Sequence, residues 1–427
     1  MPNPKLSTTT LFSEFLGPLG WTEELESFFT PFSPAFSTRG GFFARAYLMG
    51  LLLPGERKSI EPIAARLGVA YEPLQRLVNE APWSDRDVLK PLRTSLRLRA
   101  ADQERFLVFD DTGFPKQGKH SVGVQRQYSG TLGKIGNCQL AVGMAYGWGC
   151  SSSLEAAPVG WHLYLPTSWL SDPERRKKAG ISPDHPFRSK WALALELLDE
   201  GIEDGLAPDF VLADGWYGDS ADFRQALRDR KLPYGVGVNP KRCHVLDTSV
   251  PVGVPGRSRL RILDESAPTP VCELFDTLSN DEWVNVSWRE GKPSLTARFH
   301  RRTIRVMQDG YPSHEQCELL LEIRSNGDRK AHLIWGMEGW SLTELVERVH
   351  RRWLVEQVFQ QCKEELGLDH FEGRSYRGWN HHVTLVTLAF ALLVLRRPAT
   401  IESEKAPDRS PPPSACLNRG GGSTPPS

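Results

Sequence analysis

The sequence has little cysteine and no excess of either charge. Its 427 residues include seven cysteines, and none of them forms a CxxC pair. This scarcity argues against a zinc ribbon and a disulfide framework, and favours a reducing cytoplasm. Basic and acidic residues number 52 each, so the formal net charge is zero. No global positive field indicates a polyanionic partner, and nucleic-acid binding has to be predicted from local clusters.

Long apolar runs are also missing. The two most apolar stretches, 42–53 and 383–395, are shorter than the roughly 20 residues that span a bilayer, so both are predicted to be core helices. The N-terminal residues lack a basic segment followed by an apolar one, and no secretory signal is expected. With 40% hydrophobic and 24% charged residues, the chain resembles ordinary multi-domain globular proteins without a membrane partner.

The first 104 residues lack strand alternation and predict a helical domain, which we expect to bind DNA. Within it, residues 59–81 predict two helices separated by a break at Gly68. This pattern fits a helix-turn-helix DNA contact, and it fits a plain helical hairpin as well.

The composition changes at about residue 105 to short apolar runs broken by glycines. Residues 105–240 predict elements in the order β-β-β-α-β-α-β, which indicates an α/β sheet with helices packed on it. Residues 241–335 predict strands joined by turns, and we interpret them as a β-rich insertion. Helices return at 336–397, and the segment 398–427 is rich enough in Pro, Gly and Ser to predict a disordered tail.

Acidic residues follow two of the predicted strands. Asp110 and Asp111 follow the run FLVF, and Asp214 follows the run FVLA. In open α/β sheets, ligands bind outside the carboxyl ends of the strands, so these carboxylates are candidates for a functional site. The alternative for each is an ordinary turn residue or helix cap.

A third candidate lies on the helix predicted for 341–367. Ser341 and Glu344 form a capping-box pattern at its start, and Gly367 stands at the expected C-terminal position. Arg352, Glu356 and Lys363 are four and seven residues apart, which places them on one helix face. The alternative is a solvated charged stripe with intrahelical ion pairs.

Converging carboxylates repel one another unless a cation neutralises them, and ligation by oxygen alone suits Mg²⁺ or Mn²⁺. Two such ions can assist an in-line phosphoryl displacement by activating the attacking oxygen and stabilising the leaving one. Acids from distant parts of the chain are what this chemistry needs.

These motifs resemble the DDE transposases of bacterial insertion sequences, in the branch whose last acid lies in the signature Y-x2-R-x3-E-x6-K. Arg352, Glu356 and Lys363 match it in spacing, whereas Val349 occupies the tyrosine position. The block from Phe109 to Gln139 is similar to the first-acid region of the family, and ADGWYGD is similar to the second.

The resemblance implies an α/β fold with an RNase H-like catalytic core, a β-rich insertion and a helical N-terminal domain. It implies Asp111, Asp214 and Glu356 as catalytic residues and ligands of two Mg²⁺ or Mn²⁺ ions, with Asp110 as the alternative to Asp111. The partners would be the terminal inverted repeats and target DNA, bound by a homodimer or larger assembly at the nucleoid. Rival hypotheses are a catalytically silent DNA-binding protein and a nuclease of the same fold without strand transfer.

Candidate DNA contacts are basic residues near these motifs. Residues 112–154 contain no acidic residue, and lysine and arginine supply the sequence-independent part of DNA affinity. The candidates are Lys116, Lys119, Arg126, Lys134, Arg298, Arg302, Arg352 and Lys363. Trp283 and Trp288 are candidates for stacking on a flipped base or for core positions, and the histidines with Cys362 fit no structural zinc spacing.

Overall fold

The structure, a computed structural model, describes residues 22–130, 133–150, 153–254, 259–290 and 294–397. The tail predicted for 398–427 lies outside the described residues, as do residues 1–21 of the predicted N-terminal domain. The described chain begins with helices: α1 (Thr22–Phe29), a 3₁₀ turn (Thr30–Ala35), α2 (Thr38–Leu52), α3 (Ile60–Leu67), α4 (Tyr71–Asn79) and α5 (Asp85–Arg99).

The break predicted at Gly68 is confirmed. Gly68 caps α3 in the left-handed conformation, with φ of 63°, where a residue with a Cβ would be strained. Helix α4 follows and buries Leu74, Leu77 and Val78 on one side. Its apolar face is therefore used in packing, and its polar face is turned away from the core.

The α/β part follows the predicted order, with several short additional elements. Its elements are β1 (Arg105–Pro115), β2 (Gln125–Ser129), β3 (Lys134–Cys150), β4 (Ser153–Leu163), α6 (Thr167–Leu170), α7 (Pro173–Ala179), α8 (Lys190–Glu203), β5 (Phe210–Ala213), α9 (Gly215–Gly218), α10 (Ala221–Asp229) and β6 (Tyr234–Val238). The sequence did not predict β2, α6, α7 or α9, each of which is only four to seven residues long.

The remaining elements are strands and then helices. They are β7 (His244–Asp247), β8 (Val252–Gly253), β9 (Arg261–Ile262), β10 (Thr269–Pro270), α11 (Val271–Thr277), a 3₁₀ turn (Asn280–Glu282), β11 (Val284–Arg289), β12 (Ser294–Gln308), β13 (Tyr311–Arg324), β14 (Arg329–Trp335), α12 (Leu342–His350), α13 (Trp353–Glu364) and α14 (Tyr376–Arg396). The β-rich character predicted for 241–335 is confirmed.

Most strands of the described chain belong to one large mixed sheet. Its order is β10-β7-β12-β13-β14-β6-β5-β1-β3-β2, with β11 on β12 and β4 on β3. β1 is antiparallel to β3 and parallel to β5, and β5 is parallel to β6. The strands after residue 240 extend this sheet, because β14 pairs with β6 along Ala331–Trp335.

Helices cover both faces of the sheet near β1 and β3. A Cβ added to Gly143 on β3 would lie 2.4 Å from the Phe359 ring of α13. The next residue, Met144, contacts Gly201 of α8. Successive residues of a strand point to opposite faces, so α13 and α8 lie on opposite faces of the sheet.

The single helix predicted for 341–367 is wrong, although both of its ends are confirmed. Ser341 and Glu344 form the capping box, and Gly367 has a left-handed φ of 67°. Between them the chain breaks into α12 and α13 at Arg351 and Arg352. Arg351 is buried and its guanidinium lies 2.6 Å from Glu104, a tertiary contact that no local pattern reveals.

Helix α14 forms the centre of a helical layer. It contacts β4 as well as α2, α4 and α5, and the Trp161 indole donates a hydrogen bond to Thr387 at 2.9 Å. Its 21 residues exceed the apolar stretch predicted for 383–395, and by length and composition they are enough to cross a membrane. Within the fold, 83% of its most apolar window is buried, which agrees with the prediction of a core helix.

Candidate active site

Asp214 stands where the sequence predicted it, directly after a buried strand. β5 ends at Ala213, and Asp214 caps the short helix α9. One of its carboxylate oxygens accepts hydrogen bonds from the backbone N–H groups of Trp216 at 3.0 Å and Tyr217 at 3.3 Å. These bonds hold the carboxylate at the carboxyl edge of the parallel strands.

Asp110 and Asp111 lie within a strand, so the prediction that they end it is wrong. β1 continues to Pro115 because it pairs with β3 over its full length. As adjacent residues of a strand, the two aspartates point to opposite faces of the sheet. The two carboxylates therefore have different neighbours, and each forms an ion pair with a different basic side chain.

Asp111 lies on the side of α8 and α9. Lys190, the first residue of α8, places its ammonium 2.5 Å from one carboxylate oxygen, and the buried Tyr217 hydroxyl donates to the other at 3.3 Å. The same ammonium lies 4.6 Å from the ring centroid of Trp216, which is 58% exposed. Both Lys190 and Asp111 are mostly shielded from solvent.

Asp110 lies on the side of α13. Arg352, which precedes α13, places its guanidinium 3.2 Å from the Asp110 carboxylate. The same guanidinium forms an ion pair with Glu356 one turn later. Arg352 therefore joins the first acidic region to the third, and the Glu356 side chain remains 57% exposed. The placement of Arg352 and Glu356 on one side of the helix is as predicted.

The acids influence one another strongly. Burial and the nearby Asp214 carboxylate raise the pKa of Asp110 to about 8, despite the opposing effect of Arg352. Burial and Asp111 likewise raise the pKa of Asp214. Lys190 and Arg352 thus neutralise the negative charge of this cluster only in part.

The cluster has the oxygen donors that Mg²⁺ and Mn²⁺ prefer, and its raised pKa values indicate room for additional positive charge. However, no group of three or more His, Cys, Asp or Glu side chains in the described residues is already arranged to hold a metal ion. The Arg352 guanidinium binds the carboxylates of both Asp110 and Glu356, and the Lys190 ammonium binds the carboxylate of Asp111. Both cations therefore bind carboxylate oxygens of this cluster.

Two of the predicted DNA contacts are tied to the protein backbone. The Lys116 ammonium donates to the carbonyl oxygens of Asp369 at 3.0 Å and Phe371 at 2.8 Å. The Lys363 ammonium donates to the carbonyl oxygen of Gly113 at 2.9 Å. Both lysines connect β1 and the residues just after it to α13 and the loop that follows.

The other candidate contacts differ in exposure and pairing. Lys119, Arg126 and Lys134 are exposed beside β2 and β3. Arg298 is exposed on β12, with its guanidinium 5.8 Å from the ring centroid of Trp283, whereas Arg302 forms an ion pair with Asp247 at 2.5 Å.

Both tryptophans proposed for base stacking are buried, with 9% of Trp283 and 3% of Trp288 exposed. This burial favours the core interpretation that the sequence left open. The histidines of α14 are buried too, and each ring bonds to backbone carbonyls, with His381 contacting Val78 and Trp83 and His382 contacting Gly367. These bonds orient the helix.

Lys190 and Tyr217 were missed from the sequence as partners of Asp111. Tyr217 stands within the second-acid motif, three residues after Asp214, and that position was a usable signal. Lys190 is 79 residues from Asp111, and nothing in its local pattern separates it from a surface lysine.

Comparisons with known proteins agree with the resemblance to DDE transposases. Residues 31–294 match the family model described as DDE superfamily endonuclease, a span that contains Asp110, Asp111 and Asp214 but ends before Glu356. A probable transposase for the insertion sequence element IS701, from Microchaete diplosiphon, is 31% identical over 201 residues. That match covers 46% of this chain and 49% of the relative, so the chain spans about half the length of this curated relative.

A solved structure, the NurA nuclease from Sulfolobus solfataricus, matches 62% of this chain and 80% of its own. Its sequence identity is 10% and its TM-score is 0.24. The family model, by contrast, covers more than half of the chain and includes two of its three acidic regions. The chain belongs to the DDE superfamily endonucleases.

Proposed function

We propose that this protein is a transposase of an insertion sequence, which cleaves DNA at the ends of its element and joins them to target DNA. The observation that carries the proposal is the meeting of acids from three distant parts of the chain, with Arg352 contacting both Asp110 and Glu356 and with Asp214 beside them. The name of the relative from Microchaete diplosiphon, a probable transposase, supports the same function.

We further propose that β1, β3, β4, β5 and β6 form an RNase H-like core with α8, α10 and α13. Three antiparallel strands followed by two parallel ones support this assignment. Helices on both faces support it as well. The strands after residue 240 would then be the insertion between the second and third acids, and the helices before β1 a DNA-binding part.

The ligands proposed for two Mg²⁺ or Mn²⁺ ions are Asp111, Asp214 and Glu356, with Asp110 as the alternative to Asp111. When bound, such ions supply Lewis acidity for the attacking and leaving oxygens of a phosphoryl transfer. This chain contributes the buried carboxylates, and Tyr217 orients one of them. Once displaced, Lys190 and Arg352 are well placed to bind DNA phosphates.

The geometry adds a reason to consider Asp110. It shares Arg352 with Glu356, whereas Asp111 faces the other side of the sheet. Comparing Asp110→Asn with Asp111→Asn separates the two: the variant that abolishes cleavage while keeping the wild-type melting temperature identifies the ligand.

Exposed cations supply the proposed DNA surface. Lys119, Arg126, Lys134 and Arg298 can reach phosphates directly. Lys116, Lys363 and Arg302 have protein partners, so DNA contact would require them to exchange those partners. Joining two element ends implies at least a dimer on DNA, acting in the cytoplasm at the nucleoid.

The test is cleavage and joining of an element-end duplex with Mg²⁺ or Mn²⁺. We expect Glu356→Gln to lower the rate at least about a hundredfold, because a lost ligand removes several kcal/mol of transition-state stabilisation. Glu364 is exposed two turns further along the same helix, and Glu364→Gln should leave the rate unchanged.

The rival functions predict other products. A nuclease of the same fold would release cleaved DNA without joined products. A protein that binds the duplex but neither cuts nor joins it, with either metal, would be a DNA-binding factor. Equal activity of wild type and Asp214→Asn would refute the acidic site itself, with Asp222→Asn, an exposed residue of α10, as the matched control.

A further inference from the structure

The strand β2 and the start of β3 form a two-stranded ribbon. Five residue pairs join them, from Gln125 with Cys138 to Ser129 with Lys134. β1 pairs with β3 from Cys138 onward, and β4 pairs with β3 from Ala141 onward. Among the described residues, 134–136 therefore pair only with β2, whereas the Asn137 carbonyl oxygen also accepts a hydrogen bond from the Lys116 N–H at 3.0 Å. Such a two-stranded ribbon is marginally stable alone, so its other contacts decide its placement.

One face of the ribbon packs beside the acidic site. Ser129 is fully buried, and a Cβ added to Gly113 would lie 2.2 Å from its hydroxyl oxygen. Gly113 is two residues after Asp111 on the same strand and face, a distance of about 7 Å along the chain. The ribbon therefore lies directly next to the proposed chemistry.

The opposite face is apolar and exposed. Tyr128 and Ile135 are directly paired across the ribbon, so their side chains lie side by side on one face. They are 65% and 61% exposed, respectively. Arg126, two residues before Tyr128, shares this face. An exposed aromatic and aliphatic pair on a short ribbon has no packing role within the described chain.

The surroundings of this pair are basic. Arg126, Lys134 and Lys119 are all exposed, and residues 112–154 contain no Asp or Glu. This charge favours a polyanion over an ordinary protein surface. Aromatic side chains flanked by cations are the usual platform for bases and sugars of nucleic acids.

The base of the ribbon is anchored, which keeps its orientation towards the site. The Asn137 amide donates to the carbonyl oxygens of Lys116 at 2.6 Å and Gly118 at 2.9 Å. Lys116 in turn is held by the carbonyl oxygens of Asp369 and Phe371. Lys116 is thus a positioning residue of the ribbon. The exposed Arg126, on the face of Tyr128, and the exposed Lys134, on the face of Ser129, are left for binding.

We propose that this ribbon grips the DNA immediately beside the cleaved phosphate, with Tyr128 and Ile135 against bases or sugars and with Arg126 and Lys134 on phosphates. The inference rests on the proposed function for the identity of the DNA, but it concerns binding and not catalysis. Its test is therefore separate from the test of cleavage.

The first experiment measures binding of an element-end duplex in EDTA at several salt concentrations. The double variant Tyr128→Ala/Ile135→Ala should bind about 5- to 100-fold more weakly, with an unchanged salt dependence. Arg126→Gln and Lys134→Gln should each lower the slope of log affinity against log salt by about 0.9, the effect of one lost phosphate contact. Val284→Ser, an exposed apolar residue of β11, is the control.

The second experiment locates the contact. Duplexes carrying 5-iodouracil at successive positions near the cleaved end are irradiated, and the cross-linked peptide is identified by mass spectrometry. A peptide containing Tyr128 at positions adjacent to the cut supports the proposal. Cross-links that map elsewhere, or affinity of the double variant equal to that of wild type, would overturn it.

A protein partner is the other possible occupant. If the double variant binds DNA normally but sediments as a smaller species than wild type, the ribbon is an interface between copies and the inference is wrong. If wild type does not cleave the duplex, but the ribbon variants still bind it more weakly than wild type does, only the proposed catalytic function is refuted.

Discussion

Lys190 is the cation nearest to Asp111, and its role can be tested without DNA. Its ammonium lies 2.5 Å from the carboxylate in a mostly shielded position. We expect Lys190→Met to lower the free energy of unfolding in EDTA by roughly 1.5–3 kcal/mol, the usual contribution of a hydrogen bond to a charged group. Thermal unfolding in EDTA measures the effect.

The same variant should respond more strongly to Mg²⁺. In the wild type a metal ion has to displace the ammonium, whereas in the variant it relieves uncompensated carboxylates. The rise in melting temperature on adding Mg²⁺ should therefore be larger for Lys190→Met than for wild type. Lys178→Met, an exposed residue of α7, should behave as wild type; an equal metal response in all three proteins would argue against this role.

At the level of elements, the contact between α13 and the sheet decides where Glu356 lies. Gly143, which pairs with Asp110 across β1 and β3, leaves space for two aromatic rings. A Cβ at this position would lie 2.4 Å from Phe359 and 2.5 Å from Trp161, closer than side chains allow. The glycine is thus required by the close approach of α13.

We expect Gly143→Ala to destabilise the protein by roughly 1–3 kcal/mol, the usual effect of overpacking a core, and to lower the cleavage rate by displacing Glu356. Urea unfolding and the cleavage assay measure the two effects. Gly118→Ala is the matched control, because a Cβ there meets no atom within 4 Å. Wild-type stability of Gly143→Ala would mean that α13 does not dock as described.

For the whole molecule, one buried ion pair connects the extended sheet to the helix that precedes the third acid. The Glu322 carboxylate on β13 is fully buried, with His350 of α12 at 3.3 Å and Arg324 at 2.6 Å. Burial alone would raise the pKa of Glu322, but its bonds with His350 and Arg324 lower it to about 2, from an ordinary 4.5.

This shift predicts a defined loss of stability in acid. Because the folded pKa is the lower one, the stabilisation is complete above pH 4.5 and is lost as the pH falls towards 2. Its size is roughly 3 kcal/mol. Urea unfolding across this range should show a flatter pH dependence for Glu322→Gln than for wild type or for the exposed control Glu273→Gln. Parallel curves for all three would contradict the prediction.

Features that depend on neighbouring residues in the chain were predicted from the sequence. The capping box of Ser341 and Glu344, the left-handed glycines at 68 and 367, and Asp214 at the end of β5 are each set by local backbone geometry. The order of β1, β3, β4, β5 and β6 followed from apolar runs and turns in the same way, whereas the short β2 was missed. The three acidic motifs and their family were recognisable for the same reason, since each motif is contiguous.

Tertiary structure alone decided the rest. β1 runs past both aspartates because β3 pairs with it, and the helix is interrupted at Arg351, where the guanidinium binds Glu104. Lys190 reaches Asp111 from 79 residues away, and Ser129 buries itself against Gly113. These contacts depend on which surfaces meet after folding, and spacing along one chain carries no record of partners that lie on another element.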